Sequence, residues 1–353
     1  MCEVIQLEKI QIKAKMKKSV IVTGGAGYIG SHTIIELLEK TDLHIISIDN
    51  FSNSTESTYE RIEKITNKSF TKLNIDLCDL PKLRSSLQTF ENIVGVIHFA
   101  AYKAVGESTE DPLKYYHNNF ESLVTILKIC ELKNIKHFIF SSSCSVYGNT
   151  TDLPVTEETE LQVAVSPYGH TKKVGEEMIA YFTESKKWFN AILLRYFNPV
   201  GAHMSGLNGE LSSNKPSNLV PIITQTAAGI NSLTVHGNDY DTRDGSCIRD
   251  YIHVSDIADA HVKALNFLIE GKNTSNCSIY NLGTGEGVTV IEAIQAFEKV
   301  SGVKLKYSVG PRRAGDVIAI YANNDKAKKD FNWIPKYSID DMMLSAWKWQ
   351  QNV

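Results

Sequence analysis

Apolar residues follow two alternating rhythms through the first two thirds of the chain. Short β-rich runs at 19–23, 44–48, 70–75, 95–100, 137–141 and 191–196 alternate with helical patterns near 28–40, 55–67, 80–90, 112–133 and 167–187. Strands separated by helices of that length predict βαβ units, hence an α/β fold built on a doubly wound parallel sheet with right-handed crossovers. Asp111-Pro112 and Ser166-Pro167 each place a capping side chain before a proline that suits the first helical position. Asp79 reads as a cap in the same way, with Pro81 in the first turn after it. Beyond Asn198 the texture changes. Gly, Ser and Asn crowd 201–218, and shorter, less regular elements follow. The predicted organisation is an N-terminal extension over 1–18, a main domain over 19–197 and a smaller C-terminal α/β domain over 198–353. The segment 248–269 reads as a strand and helix that could return to the main sheet.

Composition narrows the function classes. The 353 residues are 42% hydrophobic and 22% charged, ordinary for a globular protein of about two domains. Thirty-seven basic against 40 acidic residues give a net charge of −3, which argues against a nucleic-acid binder. No apolar run approaches the roughly 20 residues of a spanning helix, so no membrane partner is expected. Residues 1–18 interleave charges with isoleucines and lack the apolar core of a signal peptide. The six cysteines (2, 78, 130, 144, 247 and 277) form no C-x-x-C pair, which suits a reducing, cytoplasmic setting and offers no zinc site.

Ligands of such sheets bind beyond the carboxyl ends of the strands. After the first predicted strand comes Thr23-Gly24-Gly25-Ala26-Gly27-Tyr28-Ile29-Gly30, which opens a helix. Gly24, Gly27 and Gly30 allow a tight turn and let backbone N–H groups approach a pyrophosphate at the helix start. Their G-x-x-G-x-x-G spacing is a variant of the dinucleotide fingerprint, and a plain βα turn is its bland alternative. Asp49 ends the second strand, 19 residues after Gly30. A carboxylate there can accept from ribose hydroxyls and would repel a 2′-phosphate, which favours NAD over NADP. Asp76 ends the third strand and could face the adenine.

Tyr168 and Lys172 stand four residues apart at a proline-started helix, and so share one face about 6 Å apart along the axis. The pair alone could be surface decoration. Its setting, with a Gly-rich loop and the polar strand end Ser141-Ser142-Ser143 before it, points to chemistry. A phenol of pKa near 10 must fall by about 3 units, roughly 4 kcal/mol, to serve as a base near neutrality. A lysine cation about 4 Å away is expected to supply a term of that order. Tyr168 would then take a proton from a sugar or alcohol hydroxyl, Ser143 would orient the reacting oxygen and Lys172 would also hold the nicotinamide ribose. No metal is required.

Taken together, these residues resemble the extended short-chain dehydrogenase/reductase superfamily, and within it the UDP-glucose 4-epimerase family. The resemblance spans about 19–350. It is carried by TGGAGYIGSH (23–32), IDNFSNS (48–54), HFAAYKAVGES (98–108), FSSSCSVYG (140–148), SPYGHTK (166–172), LLRYFNPVGAH (193–203) and RDYIHV (249–254). It implies a Rossmann-like NAD-binding domain and a UDP-sugar-binding domain. Tyr28, Ile29, Asp49, Asn50, Ser52, Asn53, Ser54, Asp76, Leu77, Phe99, Ala100, Lys103, Asn118 and Phe197 should cradle NAD together with the glycines. Ser143, Tyr168 and Lys172 fall on the catalytic positions. Asn198, Asn218, Leu219, Thr234, Val235, His236, Arg249, Arg313 and Asp316 should hold the UDP-sugar, the two arginines suiting a diphosphate. Ile320 stands at the position associated with sugar-pocket size and leaves the question of N-acetyl sugars open. His236 stands where an apolar or aromatic residue is usual, and Ala101-Tyr102 where smaller or aliphatic ones are.

The activity this resemblance implies is reversible 4-epimerisation of UDP-glucose and UDP-galactose through a 4-keto sugar, in galactose metabolism, by a homodimer. A nucleotide-sugar dehydratase would need an Asp-Glu pair where Cys144 and Ser145 stand. A UDP-uronate or UDP-pentose 4-epimerase would use the same catalytic residues. A non-catalytic NAD-sensing scaffold would be indifferent to loss of Tyr168.

Overall fold

The computed structural model describes residues 17–211, 218–313 and 316–353. The predicted extension therefore lies, apart from Lys17 and Lys18, outside the described residues. Seven parallel strands form the main sheet: β1 (Ser19–Thr23), β2 (His44–Asp49), β3 (Thr71–Asn74), β4 (Ile93–His98), β5 (His137–Ser143), β6 (Asn190–Tyr196) and β7 (Cys277–Leu282). Their spatial order is β7-β6-β5-β4-β1-β2-β3. The order reverses at β1, which pairs with both β2 and β4, and the crevice created there is where doubly wound sheets take ligands. All five residues of β1 are buried, because helices cover both faces of the sheet. One apolar cluster joins Val20, Val22, Ile34 and Leu265, and the other joins Ile21, Val96, Ile126 and Phe138.

The helices at Tyr28–Lys40, Pro112–Lys133 and Pro167–Ser185 begin where the sequence predicts. Asp79, Asp111 and Ser166 each cap as expected, accepting from Lys82 N, Lys114 N and Gly169 N at 3.0, 3.2 and 3.1 Å. Two readings shift. The fourth strand ends at His98, so Phe99 and Ala100 already turn across the top of the sheet. The segment 248–269 contributes its helix, Val254–Ile269, to the sheet's cover, but its extended residues pair elsewhere: Ile248–Arg249 with Val288–Thr289 and Ala319–Ile320, and Tyr251–His253 with Asn198–Val200. The strand that joins the main sheet is Cys277–Leu282, which the sequence reading missed.

The later residues build short sheets, including Leu233–His236 with Tyr307–Gly310. A third apolar cluster, with Val220, Val235, Phe297 and Met343, supports them. A smaller fourth cluster of Val146, Tyr147, Val155, Phe197, Ile320 and Ala322 sits where the two halves meet. Among the described residues no helix is long and apolar enough to cross a membrane.

Candidate active site

The glycine loop turns sharply at the carboxyl end of β1. Gly24 has φ +68°, and a Cβ there would lie 2.8 Å from Ala100 N. A Cβ on Gly30 would fall 2.2 Å from the Gly24 carbonyl oxygen. These two positions admit only glycine without rebuilding the turn. Gly27 caps the helix Tyr28–Lys40 with extended backbone, and no side chain caps that helix start. An uncapped start with the macrodipole behind it is a ready anion site.

Asp49 at the end of β2 is buried and accepts three bonds at 2.9 Å, from Ala26 N, Phe51 N and Ser54 Oγ. A carboxylate has about four acceptor positions, so capacity for a ribose hydroxyl remains. Asp49 thus also braces the glycine loop. Asn50 donates to Asp76 at 3.1 Å and accepts from Ser52 N at 3.1 Å, while Asp76 also accepts from Cys78 N at 2.8 Å. Leu77 and Phe197 are buried, and Ile29 and Phe99 pack against the first core cluster. Tyr28 donates to Gly201 O at 2.6 Å, tying the loop to the second half. The bare glycine turn, the uncapped helix start and the acidic strand end fit a dinucleotide.

Beside this cradle the sheet presents Ser143 at the end of β5, with its hydroxyl accepting from Ser145 N at 3.2 Å and Ser145 Oγ at 3.0 Å. Tyr168 and Lys172 rise on the first two turns of Pro167–Ser185, their helix start fixed by the Ser166 cap. Lys172 Nζ donates to Ser141 O at 2.6 Å and lies 5.9 Å from the centre of the Tyr168 ring. Burial pushes the Tyr168 phenol up to about 12, against a smaller lowering from the Ser143 hydroxyl. Burial pushes Lys172 down to about 8, opposed by the carboxylate of Glu176 one turn on. Lys172 is committed to a backbone carbonyl, and burial dominates both groups.

The sequence reading placed specific bonds at Asn118. Its amide does donate to Asn119 Oδ1 at 3.0 Å, but the denser set belongs to Asn119 itself. Asn119 holds Tyr102 N and O at 2.9 and 3.1 Å and Thr171 Oγ1 at 3.0 Å, between the two catalytic candidates. Two adjacent asparagines inside a helix were the available signal. Also missed was the buried pair Glu176–Arg195, joined through two bonds at 2.9 and 2.6 Å, with Ser142 on the carboxylate and Tyr147 on the guanidinium. It locks the catalytic helix to β5 and β6.

On the substrate side Arg249 donates to Ile248 O and Val317 O, both at 2.8 Å, and pairs with Asp316 at 3.1 Å. Its neighbour Asp250 is fully buried and holds Thr284 N, Gly285 N and Ala322 N at 2.8, 3.1 and 3.0 Å. Ile320 pairs in register with Arg249 and is buried against Val146 and Phe197, with Cys144 packed on the same cluster. Asn198 has a buried Oδ1 with no partner among the described residues. Arg313 is exposed. Val235 points into the third core cluster, so its reach toward a ligand is through backbone. Thr234 bonds Ser308 at 3.0 Å, and His236 contacts Pro311 O at 3.3 Å. Asn218 and Leu219 start the helix Leu219–Ala227. Lys103 pairs with Glu210 at 2.7 Å. The two arginines are not brought to one side-chain cluster by any bond between them.

A family model described as GDP-mannose 4,6 dehydratase matches residues 21–345. UDP-glucose 4-epimerase 2 of Arabidopsis thaliana is 45% identical over 341 residues, 96% of this chain and 96% of its own. The human UDP-glucose 4-epimerase is 44% identical, covering 95% and 97%. A solved UDP-glucose 4-epimerase of Stenotrophomonas maltophila, with bound NAD and formylated UDP-arabinopyranose, superposes with a TM-score of 0.91 at 41% identity over 95% of this chain and 98% of that one. That of Bifidobacterium longum, with NAD and UDP, gives 0.89 at 44% identity over the same shares. With likeness to named epimerases over nearly its full length, this chain belongs to the UDP-glucose 4-epimerase family.

Proposed function

We propose that the chain catalyses NAD-dependent, reversible 4-epimerisation of UDP-glucose and UDP-galactose, in galactose metabolism in the cytoplasm. The observation that carries this reading is the convergence of Ser143, Tyr168 and Lys172 beside the glycine loop in a chain 44–45% identical to named epimerases. The residues over 19–197, with the helix Val254–Ile269 and β7, form the NAD-binding part, and most of 198–353 the sugar-nucleotide part. NAD, when bound, supplies a hydride acceptor and donor for C4 of the hexose.

The protein's own contribution is positioning and proton transfer. Tyr168 accepts the 4-hydroxyl proton and later returns it, and Ser143 holds the oxygen that carries it. Bringing a phenol from about 12 to about 7 needs roughly 7 kcal/mol. At 5.9 Å from the ring centre, with an effective dielectric near 20, Lys172 supplies about 3 kcal/mol. A second positive charge in the same pocket, such as an oxidised nicotinamide would carry when bound, would supply part of the remainder.

Inversion would require the 4-keto sugar to turn its other face to the cofactor, which, reduced in the first half, would be the source of the returning hydride. Firm hold on the diphosphate and uridine by Arg249, Arg313 and Asp316, with a loosely held hexose, meets that requirement. Ile320, buried with Val146, Tyr147 and Phe197, is read as the residue that sets room for the sugar. The helices Pro112–Lys133 and Pro167–Ser185 pack on the sheet but leave the apolar side chains Leu113 and Tyr181 at 76% and 72% exposure, which suits a homodimer contact.

The test is conversion of UDP-galactose to UDP-glucose by purified protein with no NAD added. Product in large molar excess over enzyme is expected. Absence of product even with added NAD would overturn the hexose reading and shift the assignment to uronate or pentose nucleotides. Repeating it with UDP-N-acetylglucosamine reads the consequence of Ile320.

A further inference from the structure

Glu210 was not among the residues that the sequence pointed to, yet it holds two that were. Its Oε1 accepts from Lys103 Nζ at 2.7 Å and from Asn218 Nδ2 at 3.3 Å. Lys103 follows β4 on the cofactor side, 5.8 Å from the centre of the Tyr28 ring at the start of the glycine-loop helix. Asn218 starts a helix on the sugar-nucleotide side. One carboxylate oxygen thus joins a residue assigned to each ligand.

The carboxylate is aimed by a built anchor. Gly209 lies against the indole of Trp349, where a Cβ would approach to 2.5 Å, and Trp349 Nε1 donates to Glu210 O at 3.0 Å. Asn208 is fully buried and donates to Ser31 Oγ at 2.9 Å, on the glycine-loop helix itself. Its carbonyl accepts from His203 N at 2.8 Å. The chain leading into Glu210 and its own carbonyl are therefore fixed, the first to the glycine-loop helix and the second to the C-terminal helix.

We propose that Glu210 is a positioning residue that couples occupancy of the NAD site to occupancy of the UDP-sugar site, by dividing its carboxylate between Lys103 and Asn218. This rests on the functional reading above. A phosphate that engages Lys103 must draw the ammonium from Glu210, and the carboxylate is then left to the Asn218 amide. A ligand that engages Asn218 returns the carboxylate to Lys103. Each ligand therefore changes how firmly the other half is held, and the coupling is reciprocal. An amide at position 210 keeps the shape but loses the preference for the ammonium.

The test measures release of NAD from the holoenzyme, with and without saturating UDP, for the unaltered chain and for Glu210→Gln. Without UDP, the substitution frees Lys103 for the cofactor, so NAD release slows. The factor by which UDP changes release should shift by about fivefold, the lower end of couplings between sites. In a Lys103→Met background, Glu210→Gln should add nothing further. Faster or unchanged NAD release without UDP, an unaltered UDP factor, or equal effects in both backgrounds would each overturn the proposal, since a merely structural role only loosens the cofactor. The release measurement needs no turnover. Failure of the epimerase reading would appear separately, as lack of UDP-galactose conversion by the unaltered chain.

Discussion

The half proposed for the cofactor and the half proposed for the sugar nucleotide are built on different principles. Around the glycine loop the geometry is fixed by backbone. Gly24 and Gly30 leave no room for a side chain, and Asp49 is pinned by three protein donors. On the other side the residues proposed for the sugar nucleotide include long side chains. Arg249 is partly neutralised by Asp316, and Arg313 is exposed. A site that must hold one cofactor through repeated turnovers benefits from rigidity. A site that must release product and let a sugar turn benefits from arms that exchange partners. Ser143, Tyr168 and Lys172, the residues proposed for catalysis, stand on the rigid half.

The largest effect that separates the halves should come from Tyr168→Phe. Turnover is expected to fall by about 10²–10⁴-fold, the usual worth of a positioned acid–base group, with NAD still retained. Loss of NAD together with activity would instead make Tyr168 part of the cradle. Glu176→Gln tests the support beneath it. Leaving Arg195 buried without its carboxylate should cost about 3–5 kcal/mol in a denaturant titration. A change below 1 kcal/mol would show that the pair is not what locks the catalytic helix to the sheet.

Arg313→Ala probes the flexible half. KM for the UDP-sugar should rise roughly tenfold, as for loss of one charge-assisted bond, while stability shifts by less than about 0.5 kcal/mol because the side chain is exposed. A stability loss of several kcal/mol would place it among structural contacts. The last effect concerns acid and is spread over several pH units. His98, buried at the end of β4 and bonded to Thr23 at 2.8 Å, is pushed down to about 3 by burial, with Lys172 adding to the shift. Between about pH 6.5 and 3 the unfolded chain binds this proton and the native one does not. Stability is thus full above 6.5 and falls as pH drops, by about 1.4 kcal/mol per unit for this group. Asp256, raised to about 6 by burial, works in the opposite sense below that value. His98→Gln should flatten the acid slope by that single-group amount, and an unchanged slope would contradict the burial of His98.

Much of the rigid half was legible because its signals are local. Glycine spacing, a carboxylate at a strand end and a serine-proline helix start all lie within a few residues of what they determine, and each stands where expected. The seventh strand was not legible. Cys277–Leu282 is buried only over its last three residues, so its pattern carries no clear period. Glu176 and Arg195 are 19 positions apart and meet only through packing of helix on sheet. Likewise Glu210 gains its meaning from Lys103, 107 positions away. The acceptor of the Lys172 ammonium was not legible for a related reason: four-residue spacing gives a shared face with Tyr168, but which acceptor takes the ammonium depends on the strand beneath, and here Ser141 O takes it.

The most direct test of the central claim uses UDP-galactose carrying deuterium at C4, converted by the purified protein in ordinary water. If the hydrogen at C4 leaves as hydride and returns within one closed site, the UDP-glucose formed keeps the deuterium at C4 in full. Deuterium replaced by solvent hydrogen would mean that the C4 hydrogen leaves as a proton, and would contradict the assignment of Tyr168 as base for the hydroxyl alone.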